Sequence, residues 1–247
     1  MGACSLIVTA AVVCVGLADG NAVENGDFEV WDGYSGTGVT TTSVGVPLGS
    51  IPKDWYGGPG VGATATYDVV DLPPGQTAVP GAPRRHLRVS WSRPPSDDWP
   101  GEAQHQPAFR FTFLEYFGIQ DVRRFAGQTV RFSFHGRVGR GELDMVPILW
   151  HSYDANTPGI VGVKGRGYEL FESSGRPGEV AVAQGRPNPA AVCHLTAAWG
   201  RFGKLITLPS TDGKSITPGH YTGVGFDLIS RAAPTIDLAR VRVESSR

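Results

Sequence analysis

Along much of this chain apolar and polar residues alternate with a period of two. That spacing turns one face of an extended strand to a core and the other to water. In "QTVRFSFHGRV" (128–138), Val130, Phe132 and Phe134 share one side, and Arg131 and Ser133 share the other. "RRHLRVSWS" (84–92) aligns Leu87, Val89 and Trp91, and "QPAFRFTFLEYF" (106–117) aligns Phe109, Phe111 and Phe113. "ATATYDVVDL" (63–72) alternates in part and stops at Pro73-Pro74-Gly75. Further strands are expected in 142–153, 167–173, 200–210, 220–230 and 234–245. In the last of these, Ile236, Leu238, Val241 and Val243 change phase near Ala239, which predicts a bulge or short break. The strongest helical period is short: Ile119, Val122 and Phe125 within 117–127, closed by Gly127. Segments 35–54, 92–107 and 175–194 read as long irregular loops.

Around ten short strands separated by turn signals predict an all-β fold, an antiparallel β-sandwich with at most one short helix. The 34 glycines and 19 prolines fit this reading, because they are spread as punctuation and form no repeat. A chain of 247 residues with 40% hydrophobic content can fill one large core, and no linker divides it. The apolar leader from Leu6 to Leu17 is too short to span a bilayer. Gly16 and Ala18 suit cleavage before Asp19, although no Lys or Arg lies near Met1. The expected organisation is therefore a signal peptide at 1–18, a single domain at 19–247, and a secreted or extracellular product. Removal of the leader leaves Cys193 as the one thiol, expected to be buried, so neither a disulfide framework nor a zinc pattern can be built.

The opening "VENGDFEVW" (23–31) and the closing "TIDLARVRVE" (235–244) resemble the ends of galactose-binding-like jelly rolls, the architecture of many carbohydrate-binding modules. "PPGQTAVPGAPRRHLRVSW" (73–91) followed by "IQDVRRFAGQTVRFSFHGRV" (119–138) is similar to a domain found in bacteriophage tail and head fibre proteins and their secreted bacterial relatives. "WGRFGKLITLPSTDGKSI" (199–216) looks like the segment of that family in which an aromatic residue opens a strand ending in Leu-Pro. One departure is His135, where the fibre domains usually carry tryptophan. The resemblance specifies the fold well and the ligand poorly. It also implies a structural calcium ion where the first strand meets the last, with Asp27, Glu29 and Asp237 at the matching positions. On a strand, Asp27 and Glu29 would share a face opposite Phe28.

Sugar rings stack on aromatic side chains while polar groups beside them read hydroxyls. The candidates are Trp55 and Tyr56 in "PKDWYGG", Trp99 in "SDDWPGE", and Trp150, His151 and Tyr153 in "LWHSYD", with Arg137 and His135 as polar partners. Catalysis has less support. Glu102, Glu115, Glu142, Asp144, Glu169 and Glu172 form no local pair, although Glu142 and Asp144 share a strand face. There is no Gly-x-Ser-x-Gly elbow and no HExxH motif. The arginines at 123, 124, 131, 137 and 140 read as a solvated face rather than a nucleic-acid surface, in keeping with a net charge of -1. They would also suit an acidic polysaccharide. The expected function is non-catalytic binding of a polysaccharide or cell-surface glycan, neutral or acidic, without nucleic acid or a membrane span. The alternatives are a structural fibre or spike domain of a phage-like particle, and a glycan-active lyase or hydrolase.

Overall fold

A computed structural model describes residues 21–35, 46–58, 60, 62–76, 84–94, 110–119, 122–151, 167–169, 193–208, 210–213, 222–229 and 233–246. The chain forms thirteen described strands: β1 (Trp31–Ser35), β2 (Val46–Pro52), β3 (Trp55–Gly57), β4 (Thr64–Asp71), β5 (Arg85–Arg93), β6 (Arg110–Ile119), β7 (Thr129–Val138), β8 (Leu143–His151), β9 (Gly167–Glu169), β10 (Cys193–Leu195), β11 (Gly200–Thr207), β12 (Thr222–Ile229) and β13 (Thr235–Ser245). They make two sheets. One has seven strands in the order β1-β2-β4-β5-β13-β7-β11; the other runs β10-β8-β12-β6-β3, with β9 paired to β8. Every ladder is antiparallel except the parallel β2–β4 pair. This is the all-β two-sheet sandwich expected from the alternation.

The core lies between the sheets. From the seven-stranded side come Leu87, Val89 and Trp91 of β5, Val130, Phe132 and Phe134 of β7, and Ile236, Leu238, Val241 and Val243 of β13, all buried. Phe226 of β12 meets Phe132 and Phe134 edge-on, at centroid distances of 6.1 and 5.1 Å. Such tilted ring pairs place a positive ring edge on a negative face. β6 departs from the expected single row of phenylalanines. Its register with β12 slips between Phe226 and Asp227, and both Phe113 and Leu114 are fully buried.

The phase change near Ala239 is a bulge: the β13–β7 register shifts between Ala239 and Arg242, and Arg240 takes φ 52°. The segment before β1 docks on this bulge and is a turn, not the strand expected there. Asn21 Nδ2 donates to Val241 O at 3.0 Å, and its Oδ1 accepts from Val243 N at 2.9 Å. Val241 N donates to Gly26 O at 2.9 Å. A Cβ on Gly26 would stand 2.1 Å from Val241 O, so this position admits only glycine without rearrangement. Phe28, with φ 57°, enters the core and is fully buried.

Three other expectations change. The loop read at 35–54 contains β2, whose "VPLGSIP" hides a strand among glycine and prolines. The region 175–194 runs into β10. The helix expected at 117–127 is a single 3-10 turn, Val122–Phe125, because β6 continues to Ile119.

Candidate functional site

The outer face of the six-stranded sheet carries a row of register partners. Tyr56 of β3 pairs with Glu115 of β6, Glu115 with Gly225 of β12, and Gly225 with Ile148 of β8. Tyr56 is 56% exposed, which makes it one of the large apolar side chains the described surface offers to solvent. Further along the row Gly225 and Ile148 are buried, so the row is open at its Tyr56 end. Burial, then the charge of Asp227, pushes the Glu115 carboxyl up to about 7. A carboxyl that is half protonated near neutral pH can both donate and accept a hydrogen bond. Trp150 and His151 fall at the end of β8, where they pair with Gly223 and Thr222; their side chains lie outside the described residues. Trp99 and Tyr153 lie wholly outside them.

Trp55 does not belong to this face. It is 5% exposed, its ring sits 5.1 Å from Phe28 and 5.3 Å from Tyr116, and its Nε1 donates to Asn25 O. Adjacent residues on a strand point to opposite sides, so exposing Tyr56 commits Trp55 to the core.

Arg137 is engaged on the opposite side of the sandwich. Its Nε donates to Asp237 Oδ2 at 2.7 Å, and its Cζ lies 5.0 Å over the Trp199 ring. Arg88 donates to both oxygens of the same carboxylate, at 2.7 and 2.9 Å. His86 Nε2 stands 3.5 Å from Asp237 Oδ2, and the His86 ring meets Trp199 edge-on. Burial would raise the Asp237 carboxyl, but His86, Arg88 and Arg137 outweigh it and hold the group well below the usual carboxylate range. Trp199, the aromatic that opens β11, is thus the cover of a buried ion cluster.

These residues do not fit a calcium ion. Asp237 already has two guanidinium partners, which supply the countercharge a cation would bring. Asp27 pairs with Arg242 at 3.4 Å, and Glu29 is exposed on the turn, where its carbonyl accepts from Arg85. Among the described residues no group of three or more His, Cys, Asp or Glu side chains is arranged to hold a metal ion.

Two further groups emerge only in three dimensions. On the β10–β8 edge, His194 Nδ1 lies 2.9 Å from Asp144 Oδ1 and its Nε2 lies 3.2 Å from Glu142 Oε2, all exposed. Those hydrogen bonds, Asp144 first, raise the His194 pKa. On the outer face of the seven-stranded sheet, a groove of about 270 Å³ is lined by Ser133, His135, Arg201, Arg240, Arg242 and Glu244. His135 is half-buried there, and burial, then the Arg201 and Arg240 charges, lowers its pKa. Sequence reasoning found His135 but missed the arginines around it. The phase of the alternation in β11 and β13 marks their side of the sheet, yet only the strand order makes them neighbours. Glu115 had a local signal, as a lone acid inside the aromatic run "FRFTFLEYF".

No family model matches the sequence, and no curated protein sequence matches it. The sandwich is similar to solved carbohydrate-binding modules. A family 4 module aligns over 91% of this chain and 100% of its own, at 13% identity and TM-score 0.43. The family 11 module of Clostridium thermocellum, solved with a β-1,3-1,4-mixed-linked tetrasaccharide, aligns over 78% and 90%, at 9% identity and TM-score 0.41. The enzymatically active domain of tailspike protein 4 of bacteriophage CBA120 aligns over 78% of this chain but 20% of its own, at 12% identity and TM-score 0.35. The likeness is one of fold. No described helix is long and apolar enough to cross a membrane.

Proposed function

We propose that this chain is a non-catalytic carbohydrate-binding module, secreted or displayed on a particle, whose ligand lies across the outer face of the six-stranded sheet. The observation that carries this reading is the exposed Tyr56 ring in register with Glu115 and Gly225. The ring offers an apolar platform for the C–H face of a sugar, and Glu115 beside it reads a hydroxyl. Trp150 follows two residues beyond Ile148 on β8.

Affinity electrophoresis against a panel of neutral and acidic polysaccharides tests the reading. Retention by at least one polysaccharide is expected, weakened about tenfold in Tyr56→Ala, with an unchanged melting temperature. Retention indifferent to both Tyr56→Ala and Trp150→Ala would remove this face from the function. Oligomerisation without retention of any glycan supports a fibre or spike role instead. Release of reducing ends or unsaturated products makes the chain an enzyme.

A further inference from the structure

The groove on the other sheet is built differently from the aromatic face. Three adjacent strands contribute to it: His135 of β7 sits in register with Arg201 of β11 and Ala239 of β13, and Ser133 sits in register with Gly203 and Arg242. Ser133 lines the groove among the longer side chains, and the small residues Gly203 and Ala239 hold the neighbouring register positions. The bulge in β13 inserts an extra residue on this side, so Arg240, held at φ 52°, joins the rim beside Arg242. Three arginines face Glu244 among the lining residues, so positive charge prevails. Arg242 is steadied by Asp27 at 3.4 Å and Glu244 at 3.6 Å.

Two buried donor or acceptor atoms here lack a hydrogen-bond partner, His135 Nδ1 and Arg242 Nε. Native structures rarely leave such groups unsatisfied, because each carries its full desolvation cost. An oxyanion would answer both: its oxygens accept from guanidinium N–H groups and from an imidazole N–H, in charge-assisted bonds. At about 270 Å³ the groove falls just below the ~300–1,000 Å³ typical of ligand pockets, a size for one charged group or one ring rather than a long chain.

We propose that this groove is a second binding site, for a single oxyanion group: the sulfate ester or the carboxylate of an acidic sugar. The oxyanion is read from the geometry alone. Its assignment to a sugar rests on the carbohydrate-binding reading above. The groove and the Tyr56 face lie on opposite sheets, so one molecule would hold a charged residue of a glycan on one side and stack a sugar ring on the other.

The test titrates the full chain with inorganic sulfate, a sulfated oligosaccharide, a uronate oligosaccharide and a neutral oligosaccharide. It reads the His135 ring signals by NMR and affinity by calorimetry. Arg201→Gln and Arg240→Gly are the variants; glycine accepts the φ of residue 240, so that change leaves the bulge intact. The expected result is a saturable His135 shift with sulfate and with at least one acidic oligosaccharide. Each arginine variant should weaken binding about tenfold to a hundredfold, and Tyr56→Ala should leave sulfate affinity unchanged. Preference between the two acidic oligosaccharides decides sulfate ester against carboxylate. Binding of sulfate with no binding of either acidic oligosaccharide overturns the sugar assignment. Absence of any His135 shift, or affinity unchanged in both arginine variants, overturns the site. Failure of the neutral oligosaccharide alone bears on the aromatic face and leaves the groove standing.

Discussion

Arg88 and Asp237 meet as a fork: Nε reaches Oδ1 at 2.7 Å and Nη2 reaches Oδ2 at 2.9 Å, on neighbouring strands at the same register position. Arg137 closes on the carboxylate from β7. Asp237 has no exposed side-chain surface, so its charge depends on these partners. Asp237→Asn should cost about 3–5 kcal/mol, since two guanidinium groups are left around a neutral amide. Thermal unfolding should fall by roughly 6–20 °C. Because folding depresses this pKa, the contribution is present above the unfolded value of 3.8 and is lost as pH falls through the folded one. Acid titrations of wild type and Asp237→Asn should therefore converge at low pH. Parallel curves would show that the cluster adds nothing.

Gly26→Ala is a sharp test of how the chain start is pinned. Its methyl would overlap Val241 O, so either the turn lifts from the β13 bulge or the bulge gives way. A loss of about 1–3 kcal/mol is expected, measured by urea denaturation. Asn21→Ala removes the side chain that bonds Val241 O and Val243 N on the same bulge, and should destabilise by a similar amount. Full stability in Gly26→Ala would contradict the docking.

The alternating segments were legible because burial on one face imposes period two locally: "RRHLRVSWS" at 84–92 became β5 at Arg85–Arg93, displaced by one residue. The bulge was legible for the same reason, as a break in that period. The partners of Asp237 were not. The resemblance to jelly rolls implied Asp27, Glu29 and a calcium ion beside it, whereas strand order places β13 between β5 and β7 and delivers Arg88 and Arg137. Sheet order is set by packing of the whole chain and leaves no local mark. "PKDWYGG" shows the same limit: two adjacent aromatics on a short strand must face opposite ways, but nothing within the segment says which one is buried.

Glu115 makes stability depend on pH in the opposite sense from Asp237. Its pKa rises on folding from 4.5 to about 7, so the folded state binds a proton that the unfolded state has released. Stability should fall as pH rises from about 4.5 to 7 and level off above, a span of roughly 3 kcal/mol from this group. Glu115→Gln, neutral throughout, should flatten that slope and be the more stable protein at pH 8. Denaturant midpoints for both proteins across this range give the answer. A wild-type profile matching that of the variant would place Glu115 in water.

His194 gives a check at single-residue resolution. Its ring lies between Asp144 and Glu142 at an exposed sheet edge, and both carboxylates favour the protonated form. Proton NMR should find it titrating above the usual histidine value of 6.5, and Asp144→Asn should bring it down, since the Asp144 hydrogen bond is the larger cause. The sign of its linkage follows. A raised folded pKa adds stability that is complete below the unfolded value and disappears as pH rises through the folded one. Because all three groups are exposed, salt should weaken the shift as it screens the pair. A His194 that titrates at or below 6.5 in low salt would mean that the three side chains do not hold this geometry in solution. "ELD" would then be a plain polar strand face.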